Sequence, residues 1–460
     1  MRSNHGRSRD PGPRGPRLAP RTRPAATRLV PACLAVCALA AAAVGPAAAQ
    51  TAPRPLVLTG ATLIDGTGAP PRPGMTLVLR DGRIEAIHED GGAPLPDGAR
   101  VLDLKRHWVM PGLIDAHVHL ATNPRRQDRR ERVERRLRNA LRGGVVAVRD
   151  MGGDARALAD LARAADAGEI EAPIIRYSAI VAGPGFFNDP RVLASSAGFE
   201  PGTAPWARAV TDETDLRQAI ADARRAGVSA VKLYADLDAT RVARVAEEAK
   251  RQGLRVWAHF SLMPARPSDI VAGGVNVASH ATLLAWETAA TLPTYEQRAA
   301  VDLSVTGEHP AVRAVLAEMK ARDVLFEPTL FVFRADPSLP DTATPRHREA
   351  LAAEMTRAAY AMGVRIVAGT DGIGSEEEGA LPNLHEELRL LVERGGLRPM
   401  DALVAATRHA AEATGIEDTH GTIAVGKAAD LLVLRADPTT DIRNTREIAY
   451  VIRRGQVLER

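Results

Sequence analysis

The chain has 460 residues, of which 45% are hydrophobic and 25% are charged, a composition typical of globular proteins with a large core. Its formal net charge is +4, but residues 1–49 carry eight Arg and one Asp, or +7, which leaves −3 for the rest of the chain. No basic nucleic-acid-binding surface is therefore expected. Both cysteines, Cys33 and Cys37, also lie in residues 1–49, so any metal bound by the rest must be held without thiolates.

Residues 1–49 have the pattern of a secretory signal peptide. A basic region over 1–28 precedes the uncharged apolar run LVPACLAVCALAAAAV at 29–44, and small residues lead to a cleavage point near Ala49. The alternative is a transmembrane anchor, but the apolar run is shorter than the ~20 residues that a membrane span needs. We therefore expect a cleaved signal at 1–49, a secreted or periplasmic protein, and no stable membrane anchor after cleavage.

Small β units are indicated at both ends of the remaining chain. PLVLTGATLIDG (55–66) and MTLVLRDGRIEAIHE (75–89) have the composition of short strands, and Asp81-Gly82 between alternating runs is a strong hairpin signal. GTIAVGKAADLLVL (421–434) and REIAYVIRRGQVLE (446–459) have the same character. We expect the two ends to form one small β-sandwich domain, with the middle of the chain inserted between them.

The middle of the chain alternates apolar runs with amphipathic helical patterns, such as those at 215–227 and 240–253, which each end in Gly. This alternation predicts an α/β fold, specifically a (β/α)8 TIM barrel. The eight runs are 112–120, 145–150, 174–181, 230–236, 255–260, 275–281, 324–330 and 364–371. The predicted domains are a signal peptide at 1–49, the first part of the β-sandwich at 50–110, the barrel at 111–415 and the second part of the β-sandwich at 416–460.

The arginine-rich stretch at 125–144 could be taken for a binding patch. Val133, Leu137 and Leu141 are spaced for one face of a helix, and acidic residues interleave with the arginines. Mixed charge runs of this kind usually cover a solvated helix face. We therefore predict an amphipathic surface helix rather than a nucleic-acid site.

Two histidines stand one residue apart in DAHVHL (115–120). On a strand with a period of two, His117 and His119 lie on the same face, so both imidazoles could bind one cation. Taken alone, the pair could equally be structural. The question is decided by the polar residues of the other runs.

Four further runs carry an ionisable residue in or just after an apolar segment. A lysine inside an apolar strand is costly unless it is exposed or used, and the active sites of barrels form at the carboxyl ends of the strands. The residues are Lys232 in AVKLYAD, His259 in VWAHF, His280 in VASHA and Asp371 in AGTD. Their convergence with the histidine pair at one barrel end predicts a metal site.

These residues and their neighbours resemble the amidohydrolase superfamily, in its imidazolonepropionase-like and prolidase-like branch. The resemblance covers about residues 55–460 and is specific for the superfamily rather than for a substrate. The motifs that carry it are PGLIDAHVHL (111–120), VRDMGG (148–153), the Lys232 strand, His259, His280, GTDG (369–372), LHEEL (384–388) and GTIAVGKAADLLVL (421–434).

The resemblance implies a binuclear centre with two divalent metal ions, of which zinc is the expected one. His117, His119 and Asp371 would bind the α metal, and His259 and His280 the β metal. Lys232 would carry a CO₂-derived carbamate that bridges both. An ammonium cannot ligate a cation, whereas a carbamate offers two anionic oxygens, and a buried lysine reacts as the free amine.

The implied reaction is hydrolysis of an amide, such as a dipeptide or an N-acyl amino acid. A metal-bridging hydroxide would attack the carbonyl, Asp371 would shuttle the proton to the leaving amine, and Tyr234 would polarise the carbonyl. Tyr234 could instead simply fill the barrel mouth. The loop AGPGFFNDP (182–190) lacks the Gly-Gly-His that peptidase-like relatives often carry, which leaves a second carbonyl contact and the dipeptidase assignment open.

Other readings stay open at this point. The same centre could hydrolyse a lactone, an ester, an organophosphate or a cyclic amide, and a one-metal enzyme or a non-catalytic binding protein would use the same fold. The substrate is expected to be a small molecule, and a homo-oligomer is an open alternative. The pocket loops are expected at 182–212 and 282–309, with Trp206, Trp286, Tyr295 and His309, while His385 is expected to shape a loop or the start of a helix.

Overall fold

The computed structural model describes residues 54–124, 127–294, 297, 305–334 and 343–458. The predicted signal at 1–49 lies outside the described residues. In chain order the strands are β1 (Leu56–Leu63), β2 (Arg72–Arg80), β3 (Arg83–Glu89), β4 (Arg100–Asp103), β5 (Trp108–Pro111), β6 (Leu113–Val118), β7 (Val145–Asp150), β8 (Ile174–Ala182), β9 (Thr203–Ala204), β10 (Ala207–Ala209), β11 (Ala230–Leu233), β12 (Arg255–His259), β13 (Val277–Ser279), β14 (Leu325–Glu327), β15 (Leu431–Leu434), β16 (Ile448–Arg453) and β17 (Gln456–Val457).

Helices alternate with the central strands. They are α1 (Arg130–Arg142), α2 (Ala155–Ala167), α3 (Pro190–Ser195), α4 (Leu216–Arg225), α5 (Ala239–Arg251), α6 (Pro267–Ala272), α7 (Pro310–Ala321), α8 (Leu330–Phe333), α9 (Ala343–Ala361), α10 (Leu384–Glu393), α11 (Pro399–Ala405) and α12 (Arg408–Thr414). Within the described ranges, no helix has both the length and the apolar character that a membrane span requires.

The two chain ends share one mixed sheet, which agrees with the prediction that both ends contribute to one β domain. Its strands run in the order β17-β16-β15-β5-β1-β2-β3, and β4 pairs with β1. The β2–β3 hairpin turns at Asp81 and Gly82, both with positive φ, as the Asp-Gly signal indicated. The strand β3 also bonds to the segment before β15, since Ile84 N donates to Lys427 O (2.9 Å). The sheet therefore curls around an apolar core to which both ends contribute.

The middle of the chain forms a curled parallel sheet. Seven parallel strands pair in the order β6-β7-β8-β11-β12-β13-β14, and helices connect them. Strands of this kind are covered on both faces, which explains why they consist of nearly continuous apolar runs. The carboxyl ends of the parallel strands all lie at the same edge, and this edge positions the candidate site.

The eighth predicted run, 364–371, closes this sheet without forming a regular strand. Val367 N donates to Phe326 O of β14 (2.8 Å), and Ala116 N of β6 donates to Ala368 O (3.1 Å). The segment thus lies between the two edge strands. A regular ladder fails because Ala368 N donates to Ala405 O instead (3.1 Å) and because Asp371 has a φ of 54°.

The predicted helices form where their patterns indicated. The helices α4 and α5 are each followed by a glycine with positive φ, Gly227 and Gly253. In α1, Val133, Leu137 and Leu141 are buried as expected. Not all of its arginines are solvated, however: Arg136 is buried and pairs with Asp128 and Glu376.

Candidate active site

The six predicted metal ligands lie at the carboxyl ends of the parallel strands or in the segment that closes the sheet. His117 is near the end of β6, His259 is the last residue of β12, and His280 directly follows β13. The ring centroids of His117 and His280 are 4.9 Å apart, and those of His259 and His280 are 4.8 Å apart. Residues distant in the sequence are thus brought into one cluster.

Three of these residues form a compact group of potential ligand atoms. His119 Nε2 lies 3.1 Å and His117 Nε2 lies 3.4 Å from Asp371 Oδ1. One ligand atom from each residue falls within 4.8 Å of the other two. Asp371 is held in place by its own backbone, since its N–H donates to His117 O (2.8 Å).

The protonation of His117 shows that this group suits a cation. His117 Nδ1 lies 2.7 Å from Glu327 Oε2, and a carboxylate only accepts, so Nδ1 carries the proton. In neutral His117 the Nε2 atom therefore points a lone pair towards the Asp371 carboxylate. Burial lowers the pKa of His117, which favours this neutral form. Two acceptors that face each other in a buried site are stabilised by a cation between them.

His259 and His280 are oriented through their Nδ1 atoms. His259 Nδ1 donates to the carbonyl of Tyr234 (2.8 Å), and His280 Nδ1 lies 2.9 Å from Thr329 Oγ1. Bonds to Nδ1 of this kind fix the ring orientation of metal-ligating histidines. Burial lowers the pKa of His280 to about 3, so its imidazole is neutral, as a metal ligand must be.

Lys232 is fully buried on β11 and donates from Nζ to Ser279 Oγ (2.9 Å). Burial lowers the pKa of Lys232 to about 7. A large fraction of the side chain is then the free amine at neutral pH, which is the form that reacts with CO₂. Its chemistry therefore agrees with the predicted carbamate, which itself stays a prediction.

Glu327 and Arg149 are charged, fully buried and absent from the predicted site. Arg149 Nη2 bonds to Glu327 Oε1 (2.6 Å), while His117 and Ser279 Oγ (2.8 Å) bond to Oε2. Burial by itself would raise the pKa of Glu327, but Arg149 and His117 lower it to about 2. The signal was available in the sequence, since each residue interrupts an apolar run, VLFEPTL or VVAVRD.

Asp115 is a third residue absent from the predicted site, and it lies in the same motif as the histidine pair. It accepts hydrogen bonds from Thr370 Oγ1 (2.8 Å), Thr370 N (3.0 Å) and His117 N (3.2 Å). Asp115 thereby ties β6 to the closing segment, one residue before Asp371. The bonds hold the two ligand-bearing segments in register.

Tyr234 lies beside the cluster, with its ring 4.7 Å from that of His259. Its hydroxyl donates to Met151 O (2.5 Å), and Phe186 stacks on its ring at 5.1 Å. Phe186 belongs to the 182–190 loop, where the Gly-Gly-His is missing. An apolar side chain of this loop therefore lies against the ring of Tyr234.

The remaining predicted residues have mostly structural contacts. Trp206 is buried and donates to Ser195 O (3.1 Å), Trp286 is buried, and His309 caps α7 by accepting from Ala311 N (3.2 Å). Tyr295 lies outside the described residues. His385 contacts Gly143 O (2.9 Å) and Thr445 Oγ1 (3.0 Å), so it joins α10 to neighbouring segments, in line with the expected shaping role.

Comparisons with known proteins agree with this architecture. The sequence model of the amidohydrolase family matches residues 108–458. An imidazolonepropionase from Chromobacterium violaceum is 29% identical over 437 residues, which cover 85% of this chain and 92% of that protein. A solved Xaa-Pro dipeptidase with methionine bound in its active site is 21% identical, covers 88% of this chain and 100% of its own, and has a TM-score of 0.69.

Another similarity is local. A dihydroorotase from Anaeromyxobacter dehalogenans is 41% identical over 73 residues, so the match spans only 16% of that protein's length. The family match, in contrast, extends from β5 to the end of the described residues and includes every predicted ligand. The chain therefore belongs to the amidohydrolase family and is a metal-dependent hydrolase that acts on carbon–nitrogen bonds.

Proposed function

We propose that the protein is a binuclear amidohydrolase that cleaves the amide bond of a small molecule, either a dipeptide or an N-acyl amino acid. The observation that supports it best is the convergence of His117, His119 and Asp371 on one point beside buried Lys232. His117, His119 and Asp371 would hold one ion and His259 and His280 the other. Lys232, as its carbamate, would bridge them.

Two bound divalent cations, zinc in the first instance, would supply hydroxide at neutral pH and polarise the scissile carbonyl. The donor set fits this role, because neutral imidazoles and carboxylates suit zinc, manganese and cobalt. Burial favours the neutral form of His117 and His280, so these two imidazoles contribute no charge of their own. Asp371 and the carbamate would offset part of the charge of the cations.

Asp371 is the proposed proton shuttle. Burial alone would raise the pKa of Asp371, but the hydrogen bond with His119 lowers it and bound cations would lower it further, so Asp371 would be ionised and able to accept a proton. It would take the proton of the attacking nucleophile and return it to the nitrogen of the leaving amine. The C–N bond breaks, the carbonyl carbon gains the oxygen, and the amine leaves neutral.

Tyr234 is the proposed donor to the substrate carbonyl. Its hydroxyl now donates to Met151 O, so a bound substrate would have to replace that acceptor. Phe186, stacked on the ring, holds the tyrosine in place. A preorganised donor of this kind stabilises charge that develops on the carbonyl oxygen.

The second candidate is hydrolysis of an ester, a lactone, an organophosphate or a cyclic amide. The missing Gly-Gly-His in the 182–190 loop favours it, because a dipeptide would lose one polar contact there. The same nucleophile and the same proton shuttle would serve both reactions, but an alcohol needs less help from Asp371 as a leaving group.

A matched substrate panel tests the proposal. The zinc- and bicarbonate-treated chain would be assayed on pairs of an amide and an ester with the same acyl group, with Asp371→Asn as the catalytic control. We expect amide cleavage that the control loses. Cleavage of esters or lactones alone would transfer the assignment to the second candidate.

The proposal includes export of the chain through the leader at 1–49. N-terminal sequencing of protein recovered outside the cytoplasm tests it. A chain that starts near Gln50 would support cleavage of the leader, whereas one that retains Met1 would contradict it.

A further inference from the structure

We infer that Glu327 is a positioning residue for both halves of the metal centre: it fixes the ring of His117 directly and the amine of Lys232 through Ser279. The inference rests on the proposed function, since it assigns a role towards the same ions. It adds a residue to the site, and nothing in the histidine and lysine pattern pointed to it.

The carboxylate of Glu327 makes a different contact with each oxygen. Oε1 accepts from Arg149 Nη2 (2.6 Å), and Oε2 accepts from His117 Nδ1 (2.7 Å) and Ser279 Oγ (2.8 Å). Ser279 in turn accepts from Lys232 Nζ (2.9 Å). A chain of three hydrogen bonds thus joins a predicted ligand of the first ion to the predicted bridge between the ions.

The backbone of Glu327 contacts His280, a predicted ligand of the second ion. His280 N donates to Glu327 O (2.8 Å), and His280 has a φ of 77°, a strained value for a residue with a side chain. This bond helps to hold the strained conformation. One residue on β14 therefore contacts His117 and His280 directly and Lys232 through one intermediate.

The surroundings hold the carboxylate in a fixed position. Arg149 is itself fixed, since its Nε donates to Ala116 O (2.5 Å) and its guanidinium lies 4.4 Å from the centroid of the Trp257 ring. Gly369 leaves room for Glu327, because a Cβ there would lie 2.6 Å from Glu327 Oε1. The ion pair keeps this buried charge compensated.

A positioning role has a definite consequence for metal binding. Partners of metal-ligating side chains typically change metal affinity by about 10–100-fold when removed. Loss of the Glu327 carboxylate should weaken both sites, because it orients His117 and Lys232. Loss of the Ser279 hydroxyl acts on Lys232 alone, so it should weaken mainly the His259–His280 site, whose ion would have only those two protein ligands besides the bridge.

The test compares Glu327→Gln and Ser279→Ala with Glu387→Gln and Ser178→Ala. Glu387 is buried and accepts only backbone N–H bonds from Leu330 and Phe331 in the described structure, and Ser178 is a buried barrel serine without a hydrogen-bond partner there. Zinc per chain and zinc affinity would be measured on the full chain by chelator competition, with and without bicarbonate.

We expect Glu327→Gln to weaken zinc binding at both sites by about 10–100-fold, while Ser279→Ala loses only the bicarbonate-dependent second zinc. Ser279→Thr, which keeps the hydroxyl, should restore it, and both controls should bind like the wild type. Wild-type affinity in Glu327→Gln and Ser279→Ala would overturn the inference. If Glu327→Gln fails to fold, Ser279→Ala, Ser279→Thr and Ser178→Ala still test whether the hydrogen bonds from Glu327 to Lys232 affect zinc binding.

The two proposals fail differently. A wild-type chain that binds a single zinc whatever the bicarbonate concentration contradicts the binuclear function. In that case Glu327→Gln still tests the contact with His117 at the remaining site. A wild-type chain with two zinc ions and unaffected variants contradicts the positioning role alone.

Discussion

Among the described residues, one cluster of a histidine, a carboxylate and an arginine lies in the barrel, and a comparable one lies beside the chain-end sheet. In the barrel, His117 contacts Glu327, which pairs with Arg149. In the chain-end sheet, His420 Nε2 contacts Asp430 Oδ2 (3.0 Å), which pairs with Arg453. Both carboxylates have lowered pKa values despite burial, because the neighbouring histidine and arginine favour the ionised form.

The second ring nitrogen distinguishes the clusters. His420 Nδ1 is 2.7 Å from Thr419 Oγ1, so both nitrogens of that ring are engaged by neighbouring side chains. His117 Nε2 instead faces Asp371, next to His119 and His280. Both ring nitrogens of His420 thus have partners, whereas His117 presents the lone pair of Nε2 to the other potential ligands. We therefore expect a His–carboxylate pair to belong to a metal site only where the other ring nitrogen faces further potential ligands.

The largest effect is expected from removing the two histidines in turn. His117→Ala should lower metal content and reduce activity by about 10³-fold, since metal polarisation contributes several kcal/mol to the transition state. His420→Ala should keep the metal and activity and lower the free energy of unfolding by about 1–3 kcal/mol. Metal analysis and urea unfolding measure both. Loss of metal in His420→Ala would contradict the proposed difference between His117 as a metal ligand and His420 as a structural residue.

The two buried or half-buried lysines sharpen the same comparison. Lys232→Ala should lose bicarbonate-dependent metal and activity together, because no carbamate can form. Lys427→Ala in the chain-end sheet removes hydrogen bonds to Glu417 O (2.7 Å) and His420 O (3.2 Å) and should leave metal content unchanged. Unchanged metal in Lys232→Ala would reject its bridging role.

A smaller effect is expected at Tyr234. Tyr234→Phe keeps the ring stacked on Phe186 and removes only the hydroxyl, so kcat should fall by about 10²-fold with little change in metal content. The pH profile should keep its shape, because Asp371 is untouched. A kcat equal to that of the wild type would assign Tyr234 to packing alone.

The smallest effect concerns His385, whose ring nitrogens are both engaged, as in His420. Burial lowers its pKa from 6.5 to about 4, so the folded state disfavours the charged form. Its contribution to stability is complete above pH 6.5 and is lost as the pH falls towards 4, by about 3 kcal/mol at most.

His385→Gln should therefore unfold with less pH dependence between pH 7.5 and 5 than the wild type. Urea unfolding of metal-free protein measures this without interference from acid release of the metal. If the free energy of unfolding changes equally with pH in both proteins, His385 is not the group responsible for the pH dependence.

The sequence predicted the parts of the site that follow local rules. The apolar runs marked the strands, and the parallel arrangement required His117, Lys232, His259 and Asp371 to meet at one edge. The turn at Asp81-Gly82 and the buried face of α1 followed from pattern alone. Each of these depends on neighbours in the chain.

What the sequence did not predict depends on packing between distant segments. The pairing of Glu327 with Arg149 joins β14 to β7, and no spacing rule relates those positions. The irregular closing segment has the same origin, since Ala405 takes a hydrogen bond that a ladder would need. The available signal was a charged residue inside an apolar run. It indicates that the residue belongs to a site, but it does not predict which distant residue it pairs with.

The most direct test of the account measures zinc per chain and amine release in the same preparation of the wild-type protein, with and without bicarbonate. We predict two zinc ions per chain in bicarbonate, with amide hydrolysis that rises in step with the second ion and disappears on chelation. Full amide hydrolysis by a chain that holds no metal, or only one ion, would contradict the binuclear centre.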